Sequence, residues 1–167
     1  FGNGIVVDGA GFLLNNEMDD FSAKPGVPNK YGLVGNAANA IEPGKRMLSS
    51  MSPTIVENSE GELFMVIGSP GGSTIITTTA QIIMNVIDFG MDINEAVEIP
   101  RFHHQWMPDF IQIEERSFSY ETIKALESRG HDILLRGSIG EANCIQVKEG
   151  FMFGAADSRR NSSALGY

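Results

Sequence analysis

The feature that most constrains this chain is a pair of adjacent glycines between an apolar run and a long amphipathic segment. Residues 65–90 read MVIGSPGGSTIITTTAQIIMNVIDFG, and the first apolar residues predict a strand. Apolar residues then recur at three- and four-residue spacing over 73–89, which predicts a helix that Gly90 can end. The sequence therefore predicts a strand, a turn containing Gly71 and Gly72, and a helix.

The glycine turn has two interpretations. Glycines at a helix start let backbone N–H groups face outward with no Cβ in the way, and the helix N-terminus adds unpaired donors and a positive dipole end. Such a turn can bind an anion or form the oxyanion hole of an acyl transfer. It can as easily be a tight turn that lets helix and sheet pack closely. A phosphate-binding Walker loop is excluded because its lysine is absent.

The other predicted elements are grouped by type along the chain rather than alternating. Hairpins are predicted in 4–16 and 53–68, on either side of a long irregular segment, 19–50. Two further helices are predicted, one over 95–99 capped by Asn94 and one through Ser128 capped by Ser119. Strands are predicted at 110–115, 132–136, 143–147 and 151–156. This grouping predicts an α+β fold with antiparallel or mixed sheets and helices on one face.

Length and charge limit the domain count and the partners. The 167 residues, 42% of them hydrophobic, are enough for one domain with a core, so we expect a single domain over 1–167. A net charge of −9 disfavours nucleic acids and anionic membranes as partners, and no run approaches the roughly 18 apolar residues of a membrane span. Cys144 lies in a strand-like run and is expected to be a buried structural thiol.

Clustered carboxylates follow the first predicted hairpin. Glu17, Asp19 and Asp20 can bind a cation or an ammonium group, or they can form a solvated acidic turn. The adjacent His103 and His104 would point to opposite faces of a strand, which makes them a poor chelating pair. Nothing in the sequence requires a metal ion or another cofactor.

Paired hydroxyls occur near two basic residues. Ser49 and Ser50 follow Lys45 and Arg46, and paired hydroxyls can hold a carboxylate by hydrogen bonds. The alternative is a polar turn before Pro53.

Four segments, taken together and in order, resemble the small subunit of γ-glutamyltranspeptidases. They read LLNNEMDDFSAKPGVPNKYGLVG, NAIEPGKRMLSSMSPTIV, GSPGGSTIITT and PRFHHQWMPD, and the resemblance covers nearly the whole chain. The resemblance implies an N-terminal-nucleophile hydrolase with a four-layer αββα sandwich, of which this chain would supply a part. The same resemblance implies a large subunit from the same precursor as partner, and a periplasmic or secreted location.

The resemblance also implies an activity. In this family a precursor cuts itself, and the threonine thereby exposed attacks a γ-glutamyl amide such as that of glutathione. The γ-glutamyl group then passes from the enzyme to water, an amino acid or a peptide.

Carried over by motif, the resemblance assigns the head-group contacts to two pairs of residues. Glu17 and Asp20 would hold the α-amino group of the γ-glutamyl moiety, and Ser49 and Ser50 would bind its α-carboxylate.

The other carried-over residues surround the reacting carbonyl. Gly71 and Gly72 would supply the oxyanion hole, and Tyr31 would lie on a lid loop that covers the substrate.

The sequence departs from the family pattern in several places. The Thr-Thr-His-type opening segment with the nucleophile is absent, because the chain starts at Phe1, so we expect a piece of a longer precursor that is inactive alone. Met47 replaces a usual proline, Thr74 a common arginine, and Ser158 the proline of a usual Asp-Pro-Arg. Two alternatives stay open, namely a non-catalytic fragment and a related acylase that acts on cephalosporins or poly-γ-glutamate.

Overall fold

The computed structural model describes residues 2–115 and 117–166, which form two compact units, one within 1–50 and one within 51–167. In the first unit, the predicted hairpin of 4–16 is reduced to a single antiparallel bridge between Val6 and Leu13. Its ladder stays short because Ile5 and Phe12 beside the bridge are more than half exposed, so no buried face favours longer pairing.

The predicted irregular segment of the first unit is confirmed. It contains the 3₁₀ turns Glu17–Asp20 and Ala37–Asn39, together with isolated bridges between Ser22 and Ala40 and between Pro28 and Val34. Phe21 and Ser22 are buried, so this irregular chain still has a small packed centre.

The second unit holds all the helices and strands in the part of the chain that the structure describes. In chain order they are β1 (Thr54–Glu57), β2 (Leu63–Gly68), α1 (Ile75–Ile87), α2 (Ile93–Glu98), β3 (Phe102–His103), β4 (Ile111–Glu114), α3 (Tyr120–Ser128), β5 (Ile133–Arg136), β6 (Asn143–Lys148) and β7 (Phe151–Ala156).

These strands form two sheets. The larger sheet has the order β1-β2-β6-β7 and is antiparallel throughout. The smaller has the order β3-β4-β5, with β3 antiparallel and β5 parallel to β4. The predicted hairpin of 53–68 and the prediction of antiparallel or mixed sheets are both confirmed.

The core lies between one face of the larger sheet and the first two helices. Met65 and Ile67 of β2 alternate inward and pack with Ile82 of α1 and Val97 of α2. Cys144 of β6 belongs to this core and is 5% exposed, which confirms the predicted buried thiol. The helices α1 and α2 therefore cover one face of the larger sheet, as the grouping of elements predicts, whereas α3 contacts β5 of the smaller sheet.

The opposite face of the larger sheet is apolar and exposed in the described chain. Ile55, Val66 and Ile145 are register partners across three strands on that face. Ile55 is 69% exposed, and Met152 of β7 is 75% exposed.

One local prediction was wrong, and one strand was not predicted. The second helix begins at Ile93, and its cap is Asp92 rather than Asn94, because the Asp92 carboxylate accepts from the N–H groups of Asn94 and Glu95 in a capping box. The short strand β3 was not predicted. Both backbone groups of Phe102 are bonded to the side-chain amide of Gln81 on α1, so β3 depends on distant partners rather than on a local pattern.

A buried ion-pair cluster joins the two sheets within the second unit. The Arg101 guanidinium donates to Asp157 Oδ2 at 2.7 Å and to the carbonyls of Val97 and Ile139. Glu114 at the end of β4 accepts from the backbone N–H of Arg101 and from Arg159 at 2.6 and 2.7 Å. The cluster therefore links α2, the start of β3, the end of β4 and the segment after β7.

Among the described residues, no helix combines the length and the apolar character that crossing a bilayer demands.

Candidate functional site

The glycine turn lies between β2 and α1, as predicted. Gly71 has φ 151° and Gly72 has φ 58°, and the 3₁₀ turn Gly72–Thr74 leads directly into α1. A Cβ added at Gly71 would lie 2.5 Å from Thr74 Oγ1, so position 71 requires glycine for its conformation and for the space around it.

The turn holds its carbonyl and leaves its donors free. The backbone N–H and the hydroxyl of Thr74 both donate to the Gly71 carbonyl, at 3.2 and 2.9 Å. Within residues 2–115 and 117–166, the N–H groups of Gly71 and Gly72 have no hydrogen-bond acceptor. Free N–H donors at the start of a helix can bind a negatively charged oxygen. An oxyanion hole requires such donors.

The neighbouring segment stabilises the turn from one side. The N–H of Glu141 donates to Ser69 Oγ at 3.0 Å, and that hydroxyl donates to the Pro70 carbonyl at 2.7 Å. These bonds fix the chain just before the two glycines.

In the first unit, the 3₁₀ turn Glu17–Asp20 brings two carboxylates and a serine together. The N–H and the hydroxyl of Ser50 both donate to Glu17 Oε2 at 3.2 Å. Asn39 fixes the backbone of the turn by donating to the Asp20 carbonyl at 2.6 Å. Glu17 and Ser50, which lie 33 positions apart in the sequence, therefore meet at this turn.

Asp20 is the unsatisfied member of this cluster. Its Oδ2 is buried and has no hydrogen-bond partner in the described chain. Burial raises the pKa of the Asp20 carboxyl above its ordinary value of 3.8, and the neighbouring Glu17 raises it further. Among the described residues, neither Glu17 nor Asp20 has an ion-pair partner. A bound cation would therefore offset the desolvation cost of the Asp20 carboxylate and reduce the repulsion between the two carboxylates.

The remaining predicted residues near this cluster are arranged differently. Asp19 and Ser49 are exposed. Lys45 donates to the carbonyls of Ala38 and Ala40, both at 3.0 Å. Its ammonium group therefore stabilises the backbone around the second 3₁₀ turn rather than binding Ser49 or Ser50.

Tyr31 lies on a loop closed by the bridge between Pro28 and Val34. Its N–H donates to Asn29 Oδ1 at 2.9 Å, and Lys30 Nζ lies 5.0 Å from its ring centroid. The lid role of Tyr31 stays a prediction.

The two histidines diverge. His103 is buried, with Nδ1 2.8 Å from Thr77 Oγ1 and Nε2 2.8 Å from Gln105 Oε1. His104 is exposed, and its Nε2 lies 3.1 Å from Asp109 Oδ1. In the described part of the chain, no group of three or more His, Cys, Asp or Glu side chains is placed to hold a metal ion.

Two features of the structure were not predicted from the sequence. Thr74 stands out in the sequence only as a departure from a family pattern, although its hydroxyl bonds the Gly71 carbonyl and holds the glycine turn. The second feature is the cluster of Arg101, Glu114, Asp157 and Arg159. The available signal was charged residues directly beside apolar strands, in PRF at 100–102 and DSR at 157–159.

Comparisons with known proteins agree with the four motifs. The model of the family described as Gamma-glutamyltranspeptidase matches residues 1–167. The chain is 54% identical to the glutathione hydrolase proenzyme of Escherichia coli (strain K12), over 95% of this chain and 27% of that protein. It spans about 27–31% of the length of the first curated relatives that it matches.

Solved structures have the same fold. An acivicin-inhibited γ-glutamyltranspeptidase, described as having critical C-terminal roles in autoprocessing and catalysis, superposes with a TM-score of 0.89 at 53% identity, over 96% of this chain and 87% of that chain. The γ-glutamyltranspeptidase of Pseudomonas nitroreducens complexed with L-DON has a TM-score of 0.89 at 45% identity, covering 100% and 88%. These neighbours confirm the predicted α+β class of N-terminal-nucleophile hydrolases.

Proposed function

Because the chain belongs to the γ-glutamyltranspeptidase family, we propose that it is the part of a glutathione hydrolase and γ-glutamyltransferase that binds the γ-glutamyl group. The observation that carries this proposal is the meeting of Glu17 and Asp20 beside Ser50, with one buried carboxylate oxygen unpaired. The nucleophilic threonine would come from a segment outside the given sequence.

Glu17 and Asp20 would bind the α-ammonium of the γ-glutamyl group. An ammonium carries three donors and one positive charge, so it can satisfy the unpaired oxygen of Asp20 and reduce the repulsion between the carboxylates.

Ser50 and Ser49 would bind the α-carboxylate. Ser50 Oγ now donates to Glu17, so binding requires an exchange of partners. Glu17 would accept a hydrogen bond from the ammonium group as the Ser50 hydroxyl turns to donate to the substrate carboxylate, which keeps both groups hydrogen-bonded. Exposed Ser49 has its hydroxyl available for the same anion.

The N–H groups of Gly71 and Gly72 would stabilise the negative oxygen of the tetrahedral intermediate. The threonine oxygen would attack the γ-carbonyl carbon while its proton passes through the threonine's own amino group to the leaving amine, and the C–N bond would break. Water or the amine of an acceptor would then attack the ester and release the γ-glutamyl product.

A large subunit from the same precursor would cover the exposed apolar face of the larger sheet, which carries Ile55, Ile145 and Met152. Such a heterodimer would complete the four-layer αββα sandwich, with residues 1–167 in a single domain. Curated relatives at 54% and 47% identity are named as proenzymes, which supports maturation by self-cleavage. We place the mature enzyme in the periplasm or outside the cell, and we expect no cofactor and no nucleic-acid partner.

The test uses the complete precursor, purified after maturation. Release of glutamate from glutathione, and transfer of the γ-glutamyl group to an added dipeptide, are the expected results. Hydrolysis of a cephalosporin side-chain amide or of poly-γ-glutamate, without release from glutathione, would favour a related acylase instead. A mature protein with none of these activities would favour a non-catalytic role.

A further inference from the structure

We propose that Thr74 is a positioning residue that sets the direction of the Gly72 N–H in the oxyanion hole; this inference rests on the proposed function. Thr74 is 3% exposed, and its hydroxyl and N–H both donate to the Gly71 carbonyl, at 2.9 and 3.2 Å. Two donors from one residue therefore hold one carbonyl.

Because a peptide unit is planar, fixing the direction of the Gly71 carbonyl also fixes the direction of the Gly72 N–H. The Gly71 carbonyl and the Gly72 N–H belong to the same trans peptide, so they point in opposite directions. Because Thr74 holds the carbonyl towards the start of α1, the Gly72 N–H is directed away from the helix. In the described chain that N–H has no acceptor, so its direction determines where an oxyanion can be bound.

This peptide needs such a restraint because glycines flank it on both sides. Gly71 at φ 151° and Gly72 at φ 58° can adopt many backbone conformations, so rotation of the peptide plane between them is weakly opposed by local sterics. The buried hydroxyl of Thr74 opposes that rotation through a short, local bond.

The Thr74 hydroxyl supplies the Gly71 carbonyl with a side-chain donor in addition to the backbone N–H of the same residue. A substitution at position 74 that keeps the backbone N–H and removes the hydroxyl therefore isolates the effect of the side-chain bond. The inference is therefore specific to Thr74 and its hydroxyl.

The experiment compares variants of the mature, full-length enzyme, with rates expressed per titrated active site. Thr74→Val removes the hydroxyl at nearly constant shape, and Thr74→Ser restores it. Thr79→Val is the matched control, because Thr79 is also buried on α1 but its hydroxyl has no partner in the described chain. The measurements are the single-turnover acylation rate and KM for a γ-glutamyl anilide, and the inhibition constant of a γ-glutamyl boronic acid, which forms a tetrahedral adduct.

We expect Thr74→Val to slow acylation about tenfold, less than the roughly 10²–10³-fold loss on deleting an oxyanion donor, because the donor is kept but less well directed. The boronic acid should bind about tenfold more weakly and KM should stay within about twofold, because only the tetrahedral oxygen uses the directed N–H. Thr74→Ser should recover most of both losses, and Thr79→Val should match the unmodified enzyme.

Two results would overturn the inference: unchanged acylation and boronate binding in Thr74→Val, or an equal rise in KM. If Thr74→Val does not mature, Thr74→Ala, which also lacks the hydroxyl, is judged by the same criteria. If the unmodified mature enzyme has no γ-glutamyl activity, the proposed function fails and this inference fails with it; an active enzyme that is insensitive to position 74 rejects the inference alone.

Discussion

The guanidinium of Arg101 and the carboxylate of Asp157 lie 2.7 Å apart, and their side chains are 1% and 0% exposed. Asp157 Oδ2 also accepts from the N–H of Ala142, so the pair fixes the start of β6 as well as the region before β3. Glu141 is the residue whose N–H donates to Ser69 beside the glycine turn, and Ile139 lies two residues before it. The N–H of Ile139 donates to Glu114 in the same cluster. The buried charges thus stabilise the backbone that packs behind the glycine turn.

We expect Asp157→Ala to destabilise the full-length precursor by about 3–5 kcal/mol, because the buried charge of Arg101 would lose its nearest counter-charge. Urea unfolding measures the loss. Asp109→Ala is the control: its side chain is 86% exposed beside His104, so its removal should cost less than about 1 kcal/mol. Equal losses in the two variants would contradict the assigned role of the buried pair.

The same cluster predicts a loss of stability in acid. Burial alone would raise the pKa of Glu114, but hydrogen bonds from Arg159 and from the N–H groups of Ile139 and Arg101 lower it below the ordinary value of 4.5. A lowered folded-state pKa contributes stability that is present above the unfolded-state pKa and is lost as pH falls through the folded-state value. The free energy of unfolding should therefore fall steeply below about pH 4.5.

Glu114→Gln tests this acid effect. The variant should be less stable at pH 7, and its stability should fall less between pH 5 and pH 3 than that of the unmodified protein. The neighbouring, exposed Glu115→Gln should leave the pH profile unchanged. An acid profile unaffected by Glu114→Gln would show that other carboxylates dominate.

Cys144 should resist alkylation in the folded protein. Burial raises the pKa of its thiol from 9.0 to about 12, so the reactive thiolate is scarce at pH 8.5. Iodoacetamide should modify Cys144 at least about a hundredfold more slowly in the folded protein than in urea, as followed by intact mass. Because the folded-state pKa of this thiol is raised, the stability that Cys144 contributes is fully present below pH 9 and is lost as pH rises towards 12. Rapid modification without denaturant would mean that β6 opens readily.

Elements whose signals are local could be predicted from the sequence. The helix α1 follows from the spacing of its apolar residues, and the β1–β2 hairpin follows from its turn residues. The cap of α2 was misplaced by two positions because Asp92 and Asn94 are both good capping residues, and only the capping box with Glu95 decides between them. The strand β3 could not be predicted because two residues carry no periodicity.

In the candidate site too, local features could be predicted from the sequence, whereas contacts between distant residues could not. Residue types singled out the carboxylates, but only the 3₁₀ turn shows that Asp20 turns inward while Asp19 stays exposed. Sequence separation hid the contact of Ser50 with Glu17, which lies 33 positions away. The bond from Thr74 to Gly71 spans three residues, yet threonine has no distinctive signal there, since back-bonding hydroxyls are common in helices.

Asp20→Asn should weaken substrate binding in the mature enzyme. The amide keeps the shape of the carboxylate but loses the charge-assisted bond to the substrate ammonium, worth about 1.5–3 kcal/mol, so KM for a γ-glutamyl anilide should rise roughly 10- to 100-fold. Asp19→Asn, an exposed neighbour in the same turn, should leave KM unchanged. Identical KM values for the two variants would reject the assignment of Asp20 to the ammonium group.

Gly71→Ala should inactivate the enzyme more than it destabilises it. The new Cβ would lie 2.5 Å from Thr74 Oγ1, and the alanine would have to adopt a φ of 151°, which L-residues rarely populate. The turn must therefore shift, at a cost of about 1–3 kcal/mol. A shifted turn misplaces both N–H groups, and kcat should fall by about 10²–10³-fold, as when an oxyanion donor is lost. Gly137→Ala is the matched control, because nothing lies within 4 Å of its added Cβ. Because the two substitutions add the same methyl group, a fall in kcat in Gly71→Ala alone would place the effect in the turn, whereas normal turnover by Gly71→Ala would show that the glycines serve only close packing.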